Sequence, residues 1–287
     1  MTQPDTTLAG RTCLITGATS GIGKATTIAL AKLGATIVMV ARNQTKGEAV
    51  LKEVKQLSRN DSVFLLNADL SSQELVRKLV ADFKDRFKRL HMLVNDAGVF
   101  LTKYTKTADG IETTFAVNYL SMFLLTNLLL DVLKSSAPSR IVNVASATES
   151  GGKINFDDLN GDRKFGGWAA YSNSKLAVIM FTYELARRLE GTGVTVNTLH
   201  PGAIRTNLGH GNRGLTGLGF SFVKLFFASP EKGARTVVYL ASSPEVEKVS
   251  GKYFINCRST SSSMHSYDED IRARLWQVSA QLTGLGV

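Results

Sequence analysis

The chain predicts an α/β fold: a doubly wound, parallel, seven-stranded sheet with helices on both faces. Three observations point to it. β-prone apolar runs alternate with helix-period segments from end to end, the pattern of βαβ units and parallel sheets. The first strand runs straight into a glycine-rich turn and then a helix, the setting that makes a glycine motif credible. Right-handed crossovers then give the strand order 3-2-1-4-5-6-7, with a ligand expected at the carboxyl ends of strands 1 and 4.

Strands are expected near 11–16, 35–40, 62–67, 91–95, 139–146, 193–199 and 251–256, and helices near 21–33, 43–58, 71–88, 111–134, 169–190, 230–242 and 267–282. There is no repeat and no sign of a second domain, so 1–287 reads as one domain with its core over 10–257. Ser259 to Ser263 reads as a Ser/Thr-rich link to a last helix, which either covers the site or packs on a partner subunit.

The first strand, Arg11-Thr12-Cys13-Leu14-Ile15-Thr16, leads into Gly17-Ala18-Thr19-Ser20-Gly21-Ile22-Gly23. Glycines let the backbone pass close to a pyrophosphate, whose charge is favoured by the free N–H groups of the following helix. The spacing is Gly-x-x-x-Gly-x-Gly, not the commoner Gly-x-Gly-x-x-Gly; a purely structural tight turn is the competing reading. After the second strand come Ala41, Arg42 and Asn43, with Lys46 four residues beyond Arg42. An acid near this point would bind the ribose hydroxyls of NAD, and none is present. The Arg42 guanidinium, with Lys46 and Lys24 nearby in sequence, suits a 2′-phosphate instead, so NADP(H) is expected over NAD(H).

Tyr171-Ser172-Asn173-Ser174-Lys175 sets a phenol and an ammonium four residues apart in a helical stretch, hence on one face. A fixed cation beside a phenol is expected to lower a pKa that is normally about 10. A tyrosine so tuned can give or take a proton in carbonyl reduction or alcohol oxidation.

With Thr16 to Gly23 and Tyr171 to Lys175 together, the chain resembles the short-chain dehydrogenase/reductase family, from about Gly10 to Cys257. That resemblance implies a Rossmann fold. Asn95-Asp96-Ala97-Gly98 is similar to the family's Asn-Asn-Ala-Gly element, and Asp69-Leu70 falls where the family's Asp contacts the adenine. Asn118 falls where a family asparagine holds a water beside the catalytic lysine, and Ser146 matches the serine that binds the substrate oxygen. Pro201-Gly202 resembles the turn beside the nicotinamide, with Thr206 near its carboxamide. The resemblance thus implies a catalytic set of Asn118, Ser146, Tyr171 and Lys175. Each residue also has a plain reading: Asn118 a buried helix polar group, Ser146 and Pro201-Gly202 turn formers, Asp69 the N-cap of the next helix.

Two features depart from the compact members. Asp96 replaces the second asparagine, exchanging an amide that donates and accepts for a carboxylate that, when ionised, only accepts. Ser146 and Tyr171 are 25 residues apart (171 − 146), and the intervening insert resembles the retinol-dehydrogenase-like branch. Glu184-Leu185-Ala186-Arg187-Arg188-Leu189, His200-Pro201-Gly202, Gly251-Lys252-Tyr253-Phe254 and Arg274-Leu275-Trp276 are similar to that branch as well. The branch implies a lipophilic, retinoid-like or other apolar aldehyde, ketone or alcohol as substrate.

Composition sets outer limits. A chain of 287 residues with 44% hydrophobic and 20% charged residues can bury a large core. Its two cysteines and four histidines offer no disulfide framework or metal cluster, and a reduced cytoplasm suits them. The net charge of +10 is interleaved with acids, as in Lys84-Asp85-Arg86-Phe87-Lys88-Arg89. Such runs are solvated faces, so no nucleic-acid partner is expected and attraction of a phosphate-rich cofactor is the simpler use. No stretch is long and apolar enough to span a bilayer, and Met1 to Gly10 does not resemble a signal peptide. The apolar, aromatic segment 215–228, between the sixth strand and the helix at Pro230, fits a substrate lid, an oligomer contact or a peripheral membrane contact. The expected activity is hydride transfer between NADP(H) and an apolar carbonyl or alcohol. The alternative is an NADP-binding sensor or scaffold with weak turnover.

Overall fold

The computed structural model describes residues 7–202 and 229–286. Its sheet runs β3-β2-β1-β4-β5-β6-β7-β8, so the expected order 3-2-1-4-5-6-7 is present and is extended by one strand. The strands are β1 (Thr12–Thr16), β2 (Thr36–Ala41), β3 (Val63–Asn67), β4 (Met92–Asn95), β5 (Ser139–Val144), β6 (Val194–His200), β7 (Tyr253–Ile255) and β8 (Arg258–Thr260). β1 to β7 pair in parallel; β8 folds back antiparallel on β7, with Ile255 opposite Arg258. Asn256 and Cys257, both at positive φ, make the tight turn between them. The seven expected strands are joined by this eighth, so Ser259 lies in a strand and not in a link. Arg258-Ser259-Thr260 lacks an apolar alternation because all three residues are exposed at the sheet edge.

Helices α1 (Gly21–Lys32), α2 (Gln44–Ser58), α3 (Gln73–Arg86), α4 (Ser121–Leu128), α5 (Leu130–Ser135), α6 (Gly167–Arg188), α7 (Pro230–Ser242) and α8 (Glu269–Thr283) flank the sheet. Strand side chains alternate between two cores. Leu14 of β1 joins the layer with α3, α4, α6 and α8, whereas Cys13 and Ile15 join the layer with α1, α2 and α7. Both faces are therefore covered, as a parallel sheet requires.

The expected helix at 111–134 is broken. A short turn at Thr113–Phe115 passes into a π-helical turn at Ala116–Leu120 and then into α4 and α5. Such a wider turn occurs often at functional sites, and this one carries Asn118. The last helix, α8, lies against α6 and α4. Its Trp276 stacks on Phe181 with centroids 5.7 Å apart and meets Phe123 edge-on at 5.1 Å. Among the described residues no helix is long and apolar enough to cross a membrane.

Candidate active site

The site lies at the carboxyl ends of β1, β4, β5 and β6. β1 and β4 run side by side with Thr16 opposite Asn95. From there Thr16 Oγ1 accepts hydrogen bonds from the backbone N–H groups of Asp96 and Ala97, each at 3.1 Å. Thr16 thus ties the Asn95–Gly98 element to the mouth of the glycine turn. Gly17 adopts φ +70°, and a Cβ there would stand 2.9 Å from Ala97 N. A Cβ on Gly23 would strike the Gly17 carbonyl and stand 2.6 Å from Asp96 Oδ2. Both positions exclude any larger residue. Ile22 is buried in the core below, while Thr19, Ser20 and Gly21 are half-buried.

At the far end of β2, Arg42 is exposed and makes no ion pair among the described residues. Lys46 is exposed too. Asn43 caps α2, accepting from Lys46 N at 2.8 Å. Lys24 is already paired with Glu53 at 2.6 Å, so among the described residues Arg42 and Lys46 are the cations left for an anion at this point. Asp69 Oδ1 accepts from Ser71 N at 2.9 Å, whereas Ser72 caps α3 through Leu75 N; Asp69 is therefore not the N-cap. Leu70 lines a small cavity with Thr16, Asn95, Ala97, Asn118 and Val144. Asn95 Nδ2 donates to Asn143 Oδ1 at 2.9 Å and to Thr126 Oγ1 at 3.2 Å, and its Oδ1 is buried without a partner.

Asn118, Ser146, Tyr171 and Lys175 come together beside this cleft. Asn118, 2% exposed, grips the Val99 peptide from both sides: its Oδ1 accepts from Val99 N at 2.7 Å and its Nδ2 donates to Val99 O at 3.0 Å. Nδ2 also donates to Ser174 Oγ at 3.0 Å. Lys175 donates to the Val144 carbonyl at 2.8 Å. A Cβ on Gly98 would lie 3.4 Å from Asn118 Oδ1 and 3.7 Å from Lys175 Nζ, so the bare Gly98 leaves open a hollow bordered by both. Ser146, at the end of β5, sets its hydroxyl beside the Tyr171 phenol. Pro201 and Gly202 follow β6 at the same edge of the sheet, with Gly202 at φ +90°. Thr206 and the segment 215–228 lie outside the described residues.

The electrostatics correct one expectation. Burial pushes the Tyr171 phenol up to about 12, against a lowering by the nearby Ser146 hydroxyl and with a further raising by the charge of Asp96. The neighbouring Lys175 does not offset that burial: it donates to Val144 O, and its Nζ lies 5.7 Å from the Tyr171 ring centre. Desolvation in turn brings Lys175 down to about 8, with Asp96 opposing. Beside the phenol, Phe100 meets the Tyr171 ring edge-on at 5.6 Å, and Trp168, 60% exposed, leans on Phe100 at 5.0 Å. Gly167 makes that approach possible, because a Cβ there would collide with the Leu101 carbonyl.

Sequence reasoning did not single out Thr16, Val99, Val144 or Ser174 as parts of this arrangement. Val99 and Val144 act through their backbones, which leave no side-chain signal. Ser174 lies inside the Tyr171–Lys175 stretch, and Thr16 opens the glycine motif.

The sheet order, the glycine turn under α1 and the Ser146–Tyr171–Lys175 grouping define a nucleotide-dependent oxidoreductase of the doubly wound class. The chain belongs to the short-chain dehydrogenase family, whose model matches residues 11–214, and within it to the retinol-dehydrogenase-like branch. It is 45% identical to retinol dehydrogenase 14 of Homo sapiens, over 96% of this chain and 87% of that protein. It is 44% identical to retinol dehydrogenase 13 of Homo sapiens, over 97% and 86%. Among solved structures, an uncharacterized protein from Mycobacterium paratuberculosis superposes with a TM-score of 0.80 at 32% identity, covering 97% of this chain and 95% of that one. The Pseudomonas aeruginosa RhlG/NADP active-site complex gives a TM-score of 0.69 at 26% identity, over 88% and 97%. The family uses nicotinamide cofactors.

Proposed function

We propose that this protein is an NADP(H)-dependent reductase of apolar aldehydes and ketones, with retinoid-like carbonyls among its substrates. The observation that carries the reading is the meeting of the Ser146 and Tyr171 hydroxyls beside the Gly98 hollow that Lys175 and Asn118 border. A nicotinamide dinucleotide suits the residues present: glycines without room for a Cβ under the N-terminus of α1, and Arg42 and Lys46 at the end of β2. When bound, it supplies the hydride.

Ser146 and Tyr171 act on the substrate oxygen. Both hydroxyls reach one carbonyl oxygen, and the phenol keeps its proton across neutral pH because burial holds its pKa high. As hydride adds to the carbonyl carbon, negative charge develops on that oxygen, and Tyr171 passes it a proton while Ser146 stays hydrogen-bonded. The product is an alcohol. Lys175 would offer its remaining N–H groups to the ribose of a bound nicotinamide dinucleotide, and Asn118 holds the Val99 loop beside it. The aromatic pair Phe100 and Trp168, next to Tyr171, favours an apolar substrate body. The names of the relatives point the same way.

A parallel panel tests the proposal: retinaldehyde, long-chain aldehydes, a steroid ketone and a quinone, each with NADPH and NADH. Expected is faster reduction of the apolar carbonyls, with NADPH preferred. Failure of a folded, cofactor-binding protein to turn over any carbonyl would leave a sensor or scaffold as its role.

A further inference from the structure

The N-terminus of α1 is faced by a carboxyl from outside the helix. Ser20 is its N-cap residue but makes no side-chain cap, and the first turn holds no acid. The carboxyl of Asp96, at the end of β4, faces this terminus instead, its Oδ2 2.6 Å from the position of a Cβ on Gly23. Asp96 Oδ2 lies 3.1 Å from the position of a Cβ on Gly17, besides its closeness to Gly23. A carboxylate from another strand thus takes the anion position at the positive end of the helix dipole, in the turn where this fold holds a dinucleotide's phosphates. Lys175 acts on the same carboxyl from α6, and Asp96 in turn acts on Tyr171. From β1, Thr16 takes only the Asp96 backbone N–H.

We propose that Asp96 is a positioning residue whose protonation couples the two halves of the site, the anion-binding turn under α1 and the Lys175–Tyr171 pair. The inference rests on the reading that the turn binds an anionic dinucleotide. Ionised, Asp96 repels phosphates brought to Gly17–Gly23 and makes the Tyr171 proton harder to remove. Neutral, it gains an O–H donor beside the Gly17 carbonyl, takes over the donor capacity of the amide it replaces, and leaves both groups unopposed. Burial raises the Asp96 pKa to about 7, Lys175 and the Gly23 N–H lowering it, which places the exchange near neutrality.

The test compares Asp96→Asn with the wild type in two measurements. NADPH dissociation constants are measured from about pH 5.5 to about pH 8.5. The wild-type to variant ratio is expected near one at the acid end and to rise to roughly tenfold at the alkaline end, as the wild type alone acquires the charge. The titrations of the 2′-phosphate and of Lys175 weigh on both proteins, so the ratio isolates Asp96. In alcohol oxidation with NADP, the rising alkaline limb of kcat should move to lower pH in the variant, because Tyr171 loses a negative neighbour. Should the variant not fold, calorimetry of NADPH binding to the wild type near pH 7 replaces it, and net proton uptake is expected. The phosphate would release protons under the same conditions. A constant ratio with superimposable oxidation profiles, or binding without proton uptake, overturns the inference and leaves the cofactor reading standing. Absence of NADPH binding in both proteins overturns both.

Discussion

Lys175 stands one turn beyond Tyr171 on α6, yet its ammonium donates to the Val144 carbonyl at the end of β5 and lies 5.7 Å from the Tyr171 ring centre. The pair shares one helix face, as the spacing requires, but the hydrogen bond runs to the sheet. Lys175 thereby locks α6 onto β5 next to the site, and the Tyr171 hydroxyl faces Ser146.

Tyr171→Phe removes only the phenolic oxygen. It should retain NADPH binding within about twofold and lose turnover by roughly three orders of magnitude, the scale of losing a positioned proton donor. The raised phenol also sets a sign. In alcohol oxidation Tyr171 must accept a proton as a base, so the rate should climb with pH without levelling off below about pH 10. Steady-state profiles in both directions check this; an oxidation plateau near neutrality contradicts it.

Asn118→Ala leaves the part-buried Val99 N–H and C=O without their side-chain partner and removes the donor to Ser174 Oγ, which keeps its bond to the Tyr171 carbonyl. A loss of about 2–4 kcal/mol is expected in denaturant unfolding. Asn118→Asp keeps the acceptor for Val99 N but not the donors, and should fall between the two. Equal stability of all three proteins would show that the Val99 clamp is energetically idle.

Arg42 is exposed and free of ion pairs among the described residues, so changing it should not disturb the fold. Arg42→Asp should raise the KM for NADPH by roughly tenfold to a hundredfold and leave that for NADH unchanged or lower. An unchanged NADPH/NADH ratio would remove Arg42 from cofactor selection.

Trp168→Ala should raise KM for long or planar apolar carbonyls by roughly threefold to thirtyfold, with little change for a short aldehyde or in NADPH affinity. Of the two tryptophans, Trp276 is buried against Phe123 and Phe181, so substrate-dependent changes in intrinsic fluorescence report chiefly on Trp168. No spectral response to an apolar substrate would place the substrate elsewhere.

Local sequence was enough for everything that depends on period, chirality and backbone freedom. Alternating apolar strands and helices with right-handed crossovers determined the order 3-2-1-4-5-6-7, and only glycine could fill positions 17 and 23. Motif order along the chain was enough to nominate Asn118, Ser146, Tyr171 and Lys175. The exposed strand β8 carried no apolar signature, and the π-turn at Ala116–Leu120 has the same local composition as the helix around it. Charge balance was decided by tertiary structure alone. Whether Lys175 acts on Tyr171, Val144 or Asp96 depends on which groups the fold dries and brings within reach. Burial of the phenol outweighs the charge of its neighbour in the helix, and a carboxyl from β4 reaches the cap of α1. Spacing along one helix set the distance between two side chains; the solvation of each was settled by strands far away in sequence.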